Sequence, residues 1–213
     1  MLLVHLNQFV PASRLIDELW NGAPPASADV TLRTHVSRLR QRLAAMGPEE
    51  ALVTRPSGYR LVLDPELVDS YRFERLAGLG QEALGLGKPE RAAQMLRAAL
   101  ELWRGEVLED LGNPGYAQSE AIRLDELRLV TLESRIDADL QLGRHNSVVA
   151  ELDQLVAAHP FCERLCGQLM LALYRCGRQV DALATFSSAQ QRLAASARLR
   201  PTSDATTVQV RDR

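Results

Sequence analysis

Apolar residues recur at helical spacing through most of the chain, and breaks in that spacing divide it into elements. Leu15, Ile16, Leu19 and Trp20 share one face of a short helix. Ser13 is placed to cap it, and Asn21-Gly22-Ala23-Pro24-Pro25 ends it. A second helix, opened by Ser27, runs to about Met46, where Gly47-Pro48 stops it. Its apolar set, Leu32, Val36, Leu39 and Leu43, falls within about 60° at 100° per residue, so one narrow stripe is buried. Leu52-Val53-Thr54 and Tyr59-Arg60-Leu61-Val62-Leu63 then flank Pro56-Ser57-Gly58. Two short β-prone runs around such a turn predict a hairpin, which Asp64-Pro65 closes.

From there the pattern is helical almost to the end. Three Gly-basic pairs punctuate it: Gly87-Lys88, Gly143-Arg144 and Gly177-Arg178. The last two glycines stand 34 positions apart, the period of a tetratricopeptide-type helix pair. The same offsets after each glycine carry Ala92, Ala93, Leu96 and Leu100; Val148, Val149, Leu152 and Val156; and Ala182, Leu183, Phe186 and Gln190. These positions make one helix face expected to pack on a partner, so three helix pairs are predicted. A longer helix spans about Ala117 to Leu142. From Ser196 onward the chain is polar and aperiodic, which predicts a disordered tail over 196–213.

Charge sharpens this division. The net charge of −2 does not point to nucleic acid. Its distribution is uneven, because residues 1–60 carry seven arginines (14, 33, 38, 40, 42, 55 and 60) against five acids (Asp17, Glu18, Asp29, Glu49 and Glu50). The remainder holds 18 of the 25 basic residues and 22 of the 27 acidic ones. A basic front and an acidic back suit a DNA reader joined to a protein-contacting module.

The basic front contains a helix whose outward face is rich in long donors. Opposite the buried stripe of the second helix stand Thr31, Thr34, His35, Ser37, Arg38, Gln41 and Arg42, with Arg33 and Arg40 toward one flank. Arginine forks onto guanine O6 and N7, glutamine onto adenine, and threonine methyls meet thymine in a major groove. Hydroxyls and flanking arginines hold phosphates. Arg55 and Arg60 flank the hairpin turn directly afterwards, where a wing reaches the backbone or minor groove. A solvated amphipathic helix rich in arginine is the competing reading, and the adjoining wing weighs against it.

Other chemistry is thinly represented. Cys162, Cys166 and Cys176 lack a Cys-x-x-Cys pair, and reduced buried thiols are expected rather than a metal site. His5, His35, His145 and His159 form no ligand pattern. Trp20 and Trp103 read as core anchors, and Arg123, Arg128 and Arg135 as a solvated face or a concave one. No phosphate loop, triad order or carboxylate pair is present, so neither an enzyme nor a cofactor is expected. Met1-Leu-Leu-Val-His-Leu lacks the marks of a signal peptide, and no apolar run is long enough to span a membrane, so a cytoplasmic protein is expected.

Three stretches in order carry a family resemblance: Arg14-Leu-Ile-Asp-Glu-Leu-Trp-Asn-Gly-Ala-Pro-Pro-Ala-Ser-Ala, Leu32-Arg-Thr-His-Val-Ser-Arg-Leu-Arg-Gln-Arg-Leu and Thr54-Arg-Pro-Ser-Gly-Tyr-Arg-Leu. Together they resemble the OmpR-type winged helix of the Streptomyces antibiotic regulatory protein family. Asp69-Ser-Tyr-Arg-Phe-Glu-Arg-Leu, Leu102-Trp-Arg-Gly-Glu-Val-Leu-Glu-Asp-Leu and His159-Pro-Phe-Cys-Glu-Arg-Leu are similar to that family's bacterial transcriptional activation domain. The resemblance implies a mainly α protein: a winged helix-turn-helix over 1–63, then a tetratricopeptide-like domain over 64–195. It also implies promoter DNA and RNA polymerase as partners, with a homodimer or a heterodimer with a full-length relative. Family members carry a small β-sheet ahead of a full first helix, whereas this chain begins inside that helix. The expectation is therefore an incomplete winged helix in which Leu2, Leu3, Leu6, Leu15 and Leu39 stay exposed. The wing would be a lone hairpin and DNA binding weak. On that footing the rival function is a decoy or antagonist that binds a related regulator or its kinase.

Overall fold

The computed structural model describes residues 1–46, 51–105, 107 and 115–198. They fall into two compact units, Met1–Arg135 and the part from Ile136 onward.

In the first unit, residues 1–7 form hydrogen-bonded turns, the His5 N–H donating to the Met1 carbonyl at 3.0 Å. Strand β1 (Val10–Pro11) leads into helices α1 (Ala12–Leu19) and α2 (Ala28–Met46). The hairpin follows as β2 (Leu52–Arg55) and β3 (Gly58–Leu61). All three strands form one antiparallel sheet in the order β1-β3-β2. Val10 pairs with Tyr59 and Pro11 with Gly58, while Thr54 and Arg55 face Tyr59 and Gly58 across the hairpin. Strand alternation therefore sends Val10, Leu52, Tyr59 and Leu61 to the same face, where all four are buried with Leu32 and Val36 of α2.

This corrects the expectation of a lone hairpin. Two residues are too few to show a period of two, and a proline argues against a strand, so β1 leaves no pattern to read. A Cβ on Gly58 would lie 2.2 Å from the Val10 carbonyl oxygen, so only glycine lets β1 close on the wing. The expected exposure of the leucines is corrected in part. Leu6 and Leu15 are 3% and 7% exposed and belong to this core, and Leu2 packs against it. Leu3 and Leu39 keep 51% and 37% of their surface. Ser13 lies inside α1 rather than capping it, Pro11 holding the cap position. The predicted stop at Gly47-Pro48 lies outside the described residues.

A short 3-10 turn (Pro65–Leu67) leads to α3 (Asp69–Gly85) and α4 (Pro89–Leu100). Their contact is close at Gly80, where a Cβ would sit 2.5 Å from Leu96 Cγ. Phe73 meets Trp103 edge to face at 5.3 Å, and the Arg128 guanidinium lies 4.6 Å from the Trp103 ring centroid. Arg123 joins Glu74 and Glu120. These arginines of α5 (Gly115–Gln141) are thus engaged rather than aligned on an open face.

The second unit contains α6 (His145–Ala158), α7 (Glu163–Arg175) and α8 (Gln179–Arg198). Its centre is built from Ile136, Val148, Leu152, Leu165, Leu169 and Ala172, all 2% exposed or less. Along the whole chain the three Gly-basic pairs adopt one turn. Gly87, Gly143 and Gly177 have φ of 67°, 75° and 78°. In each, the basic residue's N–H bonds to the carbonyl five positions back, and the glycine's N–H to the carbonyl three back. Those are the paired bonds of a helix C-terminus closed by a left-handed glycine.

Leu183 and Phe186 depart from the predicted packing, remaining 66% and 45% exposed. In the first two repeats the equivalent Ala93, Leu96, Val149 and Leu152 are buried, and α8 is the last described helix. It runs to Arg198, past the start of the predicted tail, and residues 199–213 lie outside the described set. Cys166 is buried and Cys162 and Cys176 half-buried, and none of the three is in a disulfide.

Candidate nucleic-acid interface

Helix α2 is anchored through Ala28, Leu32 and Val36, all buried, and this fixes which side faces out. Arg33, Thr34, His35, Ser37, Arg38, Gln41 and Arg42 are all exposed. Thr31 and Arg40 are half-buried. The Thr31 hydroxyl donates to the Ser27 carbonyl and the Thr34 hydroxyl to the Val30 carbonyl, each at 3.0 Å. Their protons are thus turned back onto the helix, leaving oxygen lone pairs and methyl groups for an incoming ligand.

Arg40 has a different situation. Its Nη2 donates to Thr54 Oγ1 at 2.7 Å and to the Leu52 carbonyl at 3.3 Å. It ties the exposed helix to strand β2 and so sets the position of the wing against α2. On a helical projection Arg33 and Arg40 stand on the wing side of the face, and Arg38 and Arg42 on the side away from it.

The hairpin turn is two residues, Pro56-Ser57, between the paired Arg55 and Gly58. Arg55 is exposed beside this turn and Arg60 is half-buried. Both guanidiniums lie close to the ring of Phe9, with centroid distances of 4.8 Å for Arg55 and 5.6 Å for Arg60. The fold thus places a row of donors on α2 beside a second cationic cluster on the outer face of the sheet.

Sequence reasoning passed over two residues here. Val30 is 66% exposed and projects about 160° from Leu32, between Ser37 and Gln41 on the outward face. An exposed apolar side chain among polar ones there can meet a thymine methyl. Its signal was its angular distance from the buried stripe. Phe9 had no such signal, because its partners depend on the register of β1. Among the described residues no cluster of histidines, cysteines or carboxylates has metal-binding geometry, and no helix is long and apolar enough to cross a membrane.

Comparison with known proteins places both parts of the chain. The family model described as "Transcriptional regulatory protein, C terminal" matches residues 1–61, and that described as "Bacterial transcriptional activator domain" matches 68–211. The chain is 41% identical over 193 residues to the regulatory protein DnrI of Streptomyces peucetius, covering 87% of this chain and 71% of that protein. It is 43% identical over 194 residues to the regulatory protein AfsR of Streptomyces coelicolor, covering 91% of this chain but 19% of AfsR. Among solved structures, Mycobacterium tuberculosis EmbR in complex with a low-affinity phosphopeptide matches with a TM-score of 0.88 and 34% identity. That match covers 92% of this chain and 52% of the EmbR chain.

Proposed function

The chain belongs to the Streptomyces antibiotic regulatory protein family of transcriptional regulators, and from that premise we propose that it binds promoter DNA through α2 and the adjoining wing. Arg38, Gln41, Arg42, Thr34 and Val30 face the bases of a major groove. Thr31, Arg33, His35 and Ser37 hold its phosphates, and Arg55 and Arg60 meet the backbone beside it. Arg40 acts within the interface as the tie between helix and wing. The observation that carries this reading is the outward row of donors on a helix whose opposite side is locked into the core.

Weak binding and an antagonist role were expected on two grounds, a lone hairpin and exposed leucines. The third strand β1 removes the first, while Leu3 and Leu39 keep exposed surface. The functional division falls between residues 63 and 64, with the helical part from 64 to 195 contacting RNA polymerase in the cytoplasm. Exposed Leu171, Tyr174, Val180 and Leu183 give the second unit an apolar surface of the kind protein partners cover. The chain spans about half or less of several curated relatives, including 19% of AfsR.

The test is a binding assay with the full chain on promoter fragments and on random-sequence duplex. Preference for one fragment, lost on Arg38→Ala together with Arg42→Ala while thermal stability is kept, supports the reading. Equal, weak binding to all sequences, unchanged by those substitutions, refutes it. Chemical cross-linking with RNA polymerase, and light scattering for a second protomer or a longer relative, assign the partner of the helical part.

A further inference from the structure

The register of the wing sheet determines what lies on its outer face. Since Val10 pairs with Tyr59, Phe9 stands opposite Arg60, one step along the same antiparallel pair. Alternation puts Phe9, Arg60 and Arg55 on the face away from the core, because Val10, Tyr59 and Leu61 point inward. The two guanidinium carbons lie 4.8 Å and 5.6 Å from one ring centroid, both within the roughly 6 Å reach of a cation–π contact. Arg60 Nε is buried without a hydrogen-bond partner, so the ring face is the favourable contact available to that end of the guanidinium.

We propose that Phe9 is a positioning residue of the nucleic-acid interface, whose ring holds Arg55 and Arg60 as an ordered pair of cations for successive phosphates of a DNA backbone. The inference rests on the DNA-binding reading above and adds to it a residue outside both the helix and the wing. Two arginines on neighbouring strands repel one another and sample many rotamers. A shared aromatic surface offsets part of that repulsion, and it orders both side chains before DNA arrives. Side-chain ordering is one of the costs of association, so lowering it beforehand raises affinity without a new contact to the ligand. The pair serves phosphates rather than bases, because guanidiniums lying along a ring on the sheet face are not the forward-pointing forks of base readout. The contribution is therefore the same on every sequence. Gly58 is part of the same device, since it admits the strand that directly follows Phe9.

The test uses the full chain and a labelled duplex of random sequence, read by fluorescence anisotropy across a salt series. Phe9→Leu keeps apolar bulk and removes the ring. It should weaken binding by about three- to tenfold with an unchanged thermal midpoint. Phe9→Tyr should restore binding to within about twofold, since the ring is retained. In a background where Arg55 and Arg60 are both alanine, Phe9→Leu should have no further effect. A role limited to covering the sheet would instead give the same loss in both backgrounds, and that result overturns the proposal. So does failure of Phe9→Tyr to restore affinity. Should Phe9→Leu lower the thermal midpoint, Phe9→Met repeats the comparison with similar volume and no ring. If the unsubstituted chain binds duplex and Phe9→Leu binds equally well, only this inference falls. If the unsubstituted chain fails to bind even at low salt, the DNA-binding reading falls and takes this one with it.

Discussion

Replacing Arg40 with alanine separates two roles that its position on α2 leaves open: a contact to DNA and a tie to the wing. The side chain donates to Thr54 Oγ1 at 2.7 Å and to the Leu52 carbonyl at 3.3 Å. Hydrogen bonds from a charged donor contribute roughly 1.5–3 kcal/mol each when well made. Here Thr54 is exposed and the second bond is long, so the two together stabilise the helix–wing arrangement by about 1–2 kcal/mol. For a chain of this length that is a fall of about 2–8 °C in thermal midpoint. Thr54→Val removes the better acceptor and should cost roughly half as much; combined with Arg40→Ala it should add little, because the two changes break one interaction. The DNA readout is a plot of log affinity against log salt. A lost phosphate contact lowers its slope by about 0.9, whereas a loosened wing weakens binding with little change of slope. An Arg40→Ala chain with an unchanged midpoint and a slope reduced by about one would show that Arg40 is a phosphate contact, and the tie argued from its geometry would be wrong.

Other close contacts and one half-buried titratable group give further expected outcomes. Gly58→Ala puts a Cβ 2.2 Å from the Val10 carbonyl, so β1 must separate from β3; a loss of about 1–3 kcal/mol is expected, with faster amide exchange at Tyr59 and Leu61. Gly80→Ala sets a Cβ 2.5 Å from Leu96 Cγ, and Leu96 is fully buried. The α3–α4 pair should lose about 1–3 kcal/mol on chemical denaturation. Burial, and after it the positive charge of Arg14, lowers the pKa of His5 from its ordinary value of 6.5, with Glu120 pulling the other way. A histidine held neutral in this way stabilises the fold above pH 6.5, and that contribution is lost as pH falls through the lowered value. The thermal midpoint should therefore drop on acidification below pH 6.5, and His5→Gln should flatten that drop.

Much of this fold was legible because the informative residues act locally. The stripe Leu32, Val36, Leu39 and Leu43 announced both the helix and its outward face. The glycines at 87, 143 and 177 marked turns whose left-handed backbone needs no help from distant residues. What escaped was set by register and by tertiary neighbours. Nothing in Phe9-Val10-Pro11 signals a strand until Gly58 is known to leave room for it. Arg40 looks like its fellow arginines until β2 is placed beside it. Leu183 and Phe186 repeat the pattern of buried residues in the earlier helix pairs, yet they stay exposed, because sequence spacing fixes a helix face and not the neighbour that covers it. The candidate interface divides in the same way. Its helix could be read from spacing, while its aromatic platform depended on a pairing between residues about fifty positions apart.

The two-residue strand at the margin of the sheet has a bearing on solution behaviour as well. An open sheet edge invites other chains to add strands to it, and a protein gathered at high local concentration on a polymer is especially exposed to that hazard. Here one margin is β1, so short that it offers almost no ladder, and Pro11 within it has no N–H to give. The other margin, β2, is four residues long and finishes in a charged arginine. The same proline that hid the strand from view thus ends the sheet in a form that a neighbouring molecule cannot extend.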